Sequence, residues 1–282
     1  MSSILVTGAT GNIGRALIAE LQSLGATPIA GSPSGESVLG APGRAVDFGD
    51  PASLVEAFKG IDTLFLLFPL IPEKIELARN AAAAAREAGV RFILRSSGAG
   101  ADPASPMAIA KLQGSIDQII SDAGIPCSFV RPNGFMQNTL SFYRNMLRDG
   151  TLYLPMADAA ISLIDVRDIA AVDARILIDP QAHAGKAYTI TGPEALSWSQ
   201  IAQTIADASG HPIQYVAIPQ EAADEAMRGA GMDDWTVEQM GSLNRVIAAG
   251  YAAEVSDSVQ ALTGQPARRF GDFVRENAET WR

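Results

Sequence analysis

The chain has 282 residues, 48% of them hydrophobic, and a formal net charge of −10. That apolar content supports a sizeable core, and the length fits a nucleotide-binding unit with a smaller appended region. The negative balance argues against nucleic acid or an anionic membrane surface as a partner. The one cysteine, Cys127, excludes an intramolecular disulfide and a cysteine-built metal site, and its apolar surroundings read as a buried strand. His183 and His211 both fall in loop-like contexts, so no metal site is expected. No basic region followed by an apolar stretch opens the chain. The longest apolar run, Leu64 to Leu70, is far short of the ~20 residues needed to cross a bilayer. These features predict a soluble, cytoplasmic protein; a small-molecule substrate and a possible homodimer are expected as well, on grounds other than composition.

The predicted elements begin at once. Ile4-Leu5-Val6-Thr7 reads as a strand and leads into Gly8-Ala9-Thr10-Gly11-Asn12-Ile13-Gly14. A helical pattern over residues 12–24 follows. Gly8 suits a tight turn off the strand, Gly11 lets backbone approach a pyrophosphate, and Gly14 lets the helix pack on the strand. The helix N-terminus offers free N–H groups and a positive dipole end to phosphates. A glycine triplet alone is weak, but the strand before it and the amphipathic helix after it are the context the motif requires. The segment reads as a dinucleotide site.

Strand signals recur at residues 27–30, 45–47, 63–68, 91–96 and 127–131, separated by helical patterns at 52–58, 74–88 and 109–122. Short apolar strands alternating with helices predict an α/β fold, a doubly wound parallel (Rossmann) sheet that binds ligands at the carboxyl ends of its strands. Residues 162–165 and 188–191, with a helix at 167–178 between them, read as completing the sheet. After Gly192-Pro193 helices dominate, at 198–209, 220–230, 236–249 and 269–279, with one extended piece at 214–218. The predicted division is a dinucleotide-binding domain at 1–192 and a smaller, mostly helical substrate-side region at 193–282. Met227, Met232 and Met240 in that region read as core packing.

The order and spacing of several short segments carry a resemblance. They are the opening Val6-Thr-Gly-Ala-Thr-Gly-Asn-Ile-Gly14, Asp47-Phe-Gly-Asp50, Phe65-Leu-Leu-Phe-Pro69, Ser96-Ser97, Val130-Arg-Pro-Asn133-Gly-Phe-Met-Gln-Asn138, Ile164-Asp-Val-Arg-Asp-Ile-Ala170 and Tyr188-Thr-Ile-Thr-Gly-Pro193. Over nearly its whole length the chain resembles the atypical, NmrA-like branch of the short-chain dehydrogenase/reductase superfamily. That branch includes NAD(P)H:quinone oxidoreductases, triphenylmethane and azo-dye reductases, and cofactor-sensing transcriptional regulators. The resemblance implies that Gly8, Thr10, Gly11, Asn12, Ile13 and Gly14 line the cofactor's pyrophosphate and adenosine. It implies that Asp47 and Phe48 meet the adenine and that Phe68 and Pro69 lie beside the nicotinamide ribose. Pro132, Asn133 and Phe135 would bracket the nicotinamide.

The chain departs from the wider superfamily at the catalytic pair Tyr-x-x-x-Lys. Lys111-Leu112-Gln113-Gly114 matches the lysine end, but four residues earlier stands Met107, and a thioether has no proton to give. An i, i+4 spacing on a helix would put Met107 and Lys111 on one face. Lys111 reads either as a solvated lysine or as one that reaches the nicotinamide ribose or the substrate. Ser96 and Ser97 end the fifth strand, where the superfamily places a hydroxyl. Ser96 is assigned to the cofactor, and Ser97 joins Lys111 as a catalytic candidate. Tyr143, Gln137 and Asn138 are candidate substrate-side polar groups, and Trp235 a candidate wall.

The second strand ends in Ile29-Ala30-Gly31-Ser32-Pro33-Ser34, with neither the acid that favours NAD nor the base that favours NADP. Ser32 and Ser34 offer hydroxyls and Arg15 is the nearest cation, which tilts the expectation slightly toward NADP over NAD. The expected function is an NAD(P)H-dependent oxidoreductase that delivers hydride to an electron-poor conjugated acceptor, such as a quinone, a dye or an imine. Such acceptors take hydride without an enzymatic acid on a ketone oxygen, so the missing tyrosine is tolerable. The alternative is a non-catalytic NAD(P) sensor that binds a protein partner.

Overall fold

The computed structural model describes residues 2–282. Its first half alternates strands and helices in chain order. β1 (Ile4–Thr7) leads to α1 (Asn12–Ser23), and β2 (Ile29–Ser32) to β3 (Gly43–Ala45) and α2 (Pro51–Phe58). β4 (Thr63–Leu66) leads to α3 (Lys74–Glu87), β5 (Phe92–Ser96) to α4 (Ala108–Asp122), and β6 (Cys127–Pro132) follows. Every residue of β1, β4 and β5 is buried. Strands buried along their whole length belong to a sheet covered on both faces.

The second half adds a one-turn 3-10 helix at Met136–Leu140, α5 (Arg144–Arg148), β7 (Thr151–Leu154), β8 (Ala160–Ile161), α6 (Val166–Ile178), α7 (Pro180–His183) and β9 (Ala187–Ile190). Then come β10 (Leu196–Ser197), α8 (Trp198–Ser209), β11 (Gln214–Ala217), α9 (Gln220–Gly229), α10 (Asp234–Ala248), α11 (Ser258–Thr263) and α12 (Phe270–Asn277).

The main sheet has seven strands in the order β3-β2-β1-β4-β5-β6-β9. The pairings from β3 across to β6 are all parallel. Strand order reverses between β1 and β4, and an open α/β sheet binds its ligand at such a switch point, outside the carboxyl ends. Thr7 ties this point together: its hydroxyl donates to the Phe65 carbonyl at 2.8 Å and accepts from the Leu67 N–H at 3.0 Å.

The chain forms two compact units. The first holds the described residues up to Ser105, with Ala110–Arg131 and Val166–Tyr188. Its core joins Leu5, Leu64, Leu66 and Ile93 of the sheet to Phe58, Ala81, Ala82, Ala84, Ala85 and Ile116 of the helices. The second holds Pro106–Ile109, Pro132–Asp165 and Thr189–Arg282. Its core is built on Trp198, Ile201, Phe270, Phe273 and Trp281, with Leu152 and Leu154 from β7. Each such side chain contributes ~1.5–3 kcal/mol on burial. The sequence suggests one boundary, at residue 192; by packing, residues 132–165 group with the C-terminal stretch.

Three further differences have local causes. β3 lies at Gly43–Ala45, before the expected residues 45–47, because Gly43 lets the backbone pass against Gly35 and Glu36, where a Cβ would overlap. Residues 162–165 do not complete the main sheet. Ala160–Ile161 pairs antiparallel with Leu196–Ser197 in a separate two-stranded sheet, and Ile164 makes a lone bridge to Phe135. Gly192 permits this arrangement, since a Cβ there would overlap the Leu163 carbonyl. β7 escaped the sequence reading; it pairs in parallel with β11 and buries Leu152 and Leu154 while exposing Tyr153.

Candidate active site

The glycine loop after β1 is built as the sequence suggests. Gly8 adopts φ +66, the left-handed conformation that favours glycine. The Gly11 N–H donates to the Gly8 carbonyl at 3.0 Å, and the Arg15 N–H to the Gly11 carbonyl at 3.0 Å, which opens α1. The other two glycines differ. A Cβ at Gly14 would overlap the Gly8 carbonyl and the Ala9 Cα, so the fold itself demands glycine there. At Gly11 an added Cβ would meet only the Gly8 carbonyl, at 3.4 Å, so nothing in the folded chain forbids a side chain. Thr10, Gly11 and Asn12 are exposed, no side chain caps α1, and its first turn holds no acid. The orphan N–H groups of a helix start need partners, and here the positive dipole end faces outward. This cradle fits the phosphates of a dinucleotide. Ile13 buries its side chain in the core, which leaves only its backbone for a ligand.

On the adenine side, Ser32 is buried at the end of β2 with its hydroxyl 3.3 Å from that of Ser34. Asp47 is exposed, and its carboxylate accepts the Gly49 N–H at 2.8 Å in a tight local turn. Phe48 and Phe68 come together, with ring centroids 4.8 Å apart. Phe68 is buried in the core, so past β4 it is Pro69 that stands exposed. Arg15 is exposed as well, and no other basic residue ends β2.

At the end of β5 the structure holds something the sequence did not reveal. Arg95, fully buried, donates to both the Asp117 carboxylate and the Gln113 side chain, and to the Ser97 hydroxyl at 2.7 Å. Ser97 in turn donates to Asp117 Oδ2 at 3.0 Å. Arg131 reaches the same Oδ2 through Nε and Nη2, at 3.1 and 2.9 Å. Ser97 thus belongs to a buried ion network, while Ser96 is buried at the strand's end. Gly114 lets the loop of Asp102 and Pro103 lie against α4, where a Cβ would overlap both. Lys111 stands exposed in the first turn of α4 and has no ion pair among the described residues. Met107 lies in a bend just before the helix, so the i, i+4 relation expected for Met107 and Lys111 does not strictly hold.

In the second unit, Pro132 is buried and Asn133 is fully engaged. Its Nδ2 donates to Ser162 Oγ and the Ala252 carbonyl, both at 2.8 Å, and its Oδ1 accepts the Gly134 N–H at 2.8 Å. Phe135 is half-buried beside its bridge to Ile164. Gln137 Nε2 donates to the buried Asp165 carboxylate at 2.9 Å, and the Asn138 carbonyl accepts the Tyr143 N–H at 2.9 Å. Tyr143 packs edge-on against Trp198, centroids 5.6 Å apart. Burial pushes its phenol above the usual tyrosine value, and its hydroxyl has no partner among the described residues. Trp235 is half-buried in the first turn of α10. Ser242, fully buried on α10, accepts the Ile109 N–H at 3.1 Å and so caps the start of α4.

Among the described residues no group of three His, Cys, Asp or Glu side chains is placed to hold a metal ion, and no helix is long and apolar enough to cross a membrane. Cys127 is buried, and burial raises its thiol pKa.

A doubly wound sheet with an uncapped glycine-loop helix at its switch point defines a dinucleotide-binding α/β protein. The chain matches the NmrA-like family over residues 1–263. It is 36% identical over 280 residues to an NAD(P)H azoreductase of Xenophilus azovorans, covering 98% of each chain. It is 34% identical over 284 residues to a (4-alkanoyl-5-oxo-2,5-dihydrofuran-3-yl)methyl phosphate reductase of Streptomyces griseus, covering 99% of each. Its fold superimposes on the crystal structure of an NADPH-dependent quinone oxidoreductase of Escherichia coli complexed with NADPH, with TM-score 0.86, 26% identity and coverage of 97% and 99%. This protein belongs to the NmrA-like family and is an NAD(P)H-dependent oxidoreductase.

Proposed function

We propose that the protein reduces an electron-poor conjugated acceptor, a quinone or an azo or related dye, with hydride from NAD(P)H. The observation that carries this reading is the exposed, uncapped start of α1 beside Gly11, a glycine the fold does not itself require. The first unit then carries the dinucleotide, through the backbone of Gly8 to Gly14 and the turn at Ser32 and Ser34. Asp47, Phe48, Phe68, Pro69 and Ser96 line its course. Pro132, Asn133 and Phe135 are the groups proposed for the nicotinamide end. Asn133 acts there by holding its own loop rigid, because its amide is already bonded. Lys111 is proposed to reach the ribose.

The bound cofactor supplies the hydride; the chain supplies orientation and exclusion of water. Met107 offers no proton, so acceptors that stabilise negative charge on their own are favoured. Tyr143 is the acceptor-side donor best placed by its surroundings, being protonated and without an internal partner. Gln137, Asn138 and Trp235 complete the acceptor-side groups. The phosphate ester named for the Streptomyces relative supports including acceptors that carry an anionic substituent. A cytoplasmic location and a homodimer belong to the same reading.

The test is NADPH and NADH oxidation, followed at the nicotinamide absorbance, against quinones, azo dyes, triphenylmethane dyes and simple ketones. Reduction of the conjugated acceptors with slow turnover of ketones is expected. Tight cofactor binding with no oxidation by any acceptor would replace this reading with that of a sensor.

A further inference from the structure

The loop that follows β6 is held by a piece of chain far away in sequence. Segment 250–256 joins α10 to α11 without forming helix or strand. Its Ala252 carbonyl accepts the Ser162 N–H at 3.0 Å and Asn133 Nδ2 at 2.8 Å. Further on, Ser256 donates its N–H to the Thr191 hydroxyl at 2.9 Å and its own hydroxyl to the Thr189 carbonyl at 2.8 Å. All of these residues belong to the second unit.

Ser162 is the centre of this arrangement and is fully buried. Its oxygen accepts Asn133 Nδ2 at 2.8 Å. Its single proton goes to the Glu254 carbonyl at 2.6 Å, the nearer of two carbonyls beside it, with that of Ala252 at 3.3 Å. A carbonyl only accepts, so the Ala252 contact fixes which end of the Asn133 amide carries the N–H groups. Protons are thus passed in one direction, from Asn133 to Ser162 to Glu254, and such a chain strengthens its members. Backbone rungs continue it. The Ile164 N–H donates to the Gly134 carbonyl at 2.8 Å and the Met136 N–H to the Ile164 carbonyl at 2.9 Å. Gly134 lets the two stretches close up, since a Cβ there would come within 2.8 Å of the Ile161 side chain. Position 162 therefore needs a group that accepts and donates at once. Alanine would take away the partner of an Asn133 N–H and of the Glu254 carbonyl together.

We propose that Ser162 is a positioning residue for hydride transfer: through Asn133 and the carbonyls of 252 and 254 it fixes residues 132–135 against the nicotinamide. The proposal rests on the reductase reading for the place of the nicotinamide, but one arm of its test needs no turnover. Hydride transfer is steep in geometry, and a misplacement of ~1 Å can cost about 100-fold.

The test compares the wild type with Ser162→Ala, Asn133→Asp, the two combined, and Ser256→Ala. NADPH affinity, the anisotropy decay of the bound nicotinamide's fluorescence, and single-turnover reduction of a benzoquinone are measured, with rates taken per bound NADPH. In Ser162→Ala the NADPH dissociation constant and the quinone KM are expected to stay within ~3-fold, because the phosphates are held elsewhere. Hydride transfer should fall about 10-fold or more, and the bound nicotinamide should gain a fast depolarising motion. Asn133→Asp should do the same, and the combined variant should be no worse than either, since both break one link. Ser256→Ala cuts the connector outside that link and should leave rate and emission as in the wild type. Should Ser162→Ala fail to fold, Ser162→Cys keeps the volume with a weaker donor, and the same outcomes apply to it.

Wild-type transfer per bound NADPH with wild-type anisotropy in the Ser162 variant overturns the proposal, whatever its stability. Additive losses in the combined variant, or equal losses in Ser256→Ala, overturn it as well. A wild type that transfers no hydride, but whose nicotinamide loosens in Ser162→Ala, fails as a reductase and keeps the positioning role.

Discussion

Ser97 gives its hydroxyl proton to Oδ2 of Asp117 at 3.0 Å. The same hydroxyl accepts from Arg95, so its hydrogen is committed inside the protein. So engaged, Ser97 bridges the two members of the Arg95–Asp117 ion pair. Ser97→Ala is expected to lower stability by about 1.5–3 kcal/mol, the range for a hydrogen bond to a charged group, and to change turnover less than ~3-fold. Urea unfolding and steady-state rates on the same preparation check it; a loss of turnover with unchanged stability would restore Ser97 to the chemistry.

Gly11 and Gly14 should separate binding from folding. Gly11→Val is expected to weaken NADPH by at least ~10-fold, about 1.4 kcal/mol, with the circular dichroism spectrum unchanged. Gly14→Val should fail to fold, because its Cβ would overlap backbone. Unchanged cofactor affinity in a folded Gly11→Val would remove the phosphates from this loop.

Cofactor choice should be shallow. With no acid or base over residues 29–34, where β2 ends, the dissociation constants of NADPH and NADH are expected within ~30-fold, about 2 kcal/mol. Calorimetry with both nucleotides decides it, and a preference of ~1,000-fold would require a clamp these residues do not form.

Tyr143 should matter to the acceptor alone. Tyr143→Phe is expected to leave NADPH binding unchanged and to raise the acceptor KM. Because burial raises the phenol's pKa, the wild-type rate should show no basic limb up to tyrosine's ordinary value of about 10. A basic limb below that pH which disappears in Tyr143→Phe would contradict the buried, protonated phenol.

Asp173 gives a prediction about pH. It is fully buried on α6 and neither oxygen has a hydrogen-bond partner among the described residues, so burial holds its carboxyl protonated well above the usual range. The unfolded chain releases that proton near pH ~4, so this carboxyl costs the folded state increasingly as pH rises above that point. Asp173→Asn should therefore stabilise more at about pH 8 than at about pH 4, by ~1 kcal/mol or more. Denaturant unfolding at the two pH values measures the difference, and equal effects would mean the buried carboxyl does not titrate.

The sequence carried the glycine loop plainly, because the turn, the close approach and the helix start all fall within seven neighbouring residues. The parallel α/β class was legible for a similar reason, since β1 and β4 are short, wholly buried runs each followed by a helix. The network of Arg95, Ser97, Asp117 and Arg131 was not. Its members lie on β5, at its end, on α4 and on β6, and no local pattern links an arginine inside a strand to an aspartate 22 positions further on. Ser97 accordingly read as a catalytic candidate. β7 did leave a trace, the alternation of Leu152, Tyr153 and Leu154, but at four residues that trace is shorter than most strand signals.

The second unit draws its strands from separate stretches of chain: β7 pairs with β11, and β8 with β10. A fragment begun after residue 192 would keep β10 and β11 and lose both their partners. It would present two unsatisfied strand edges to its neighbours, and such edges invite chains to pair with one another. The second unit therefore cannot be inherited, exchanged or expressed as a tail, because one strand of each of its two ladders is encoded before β9.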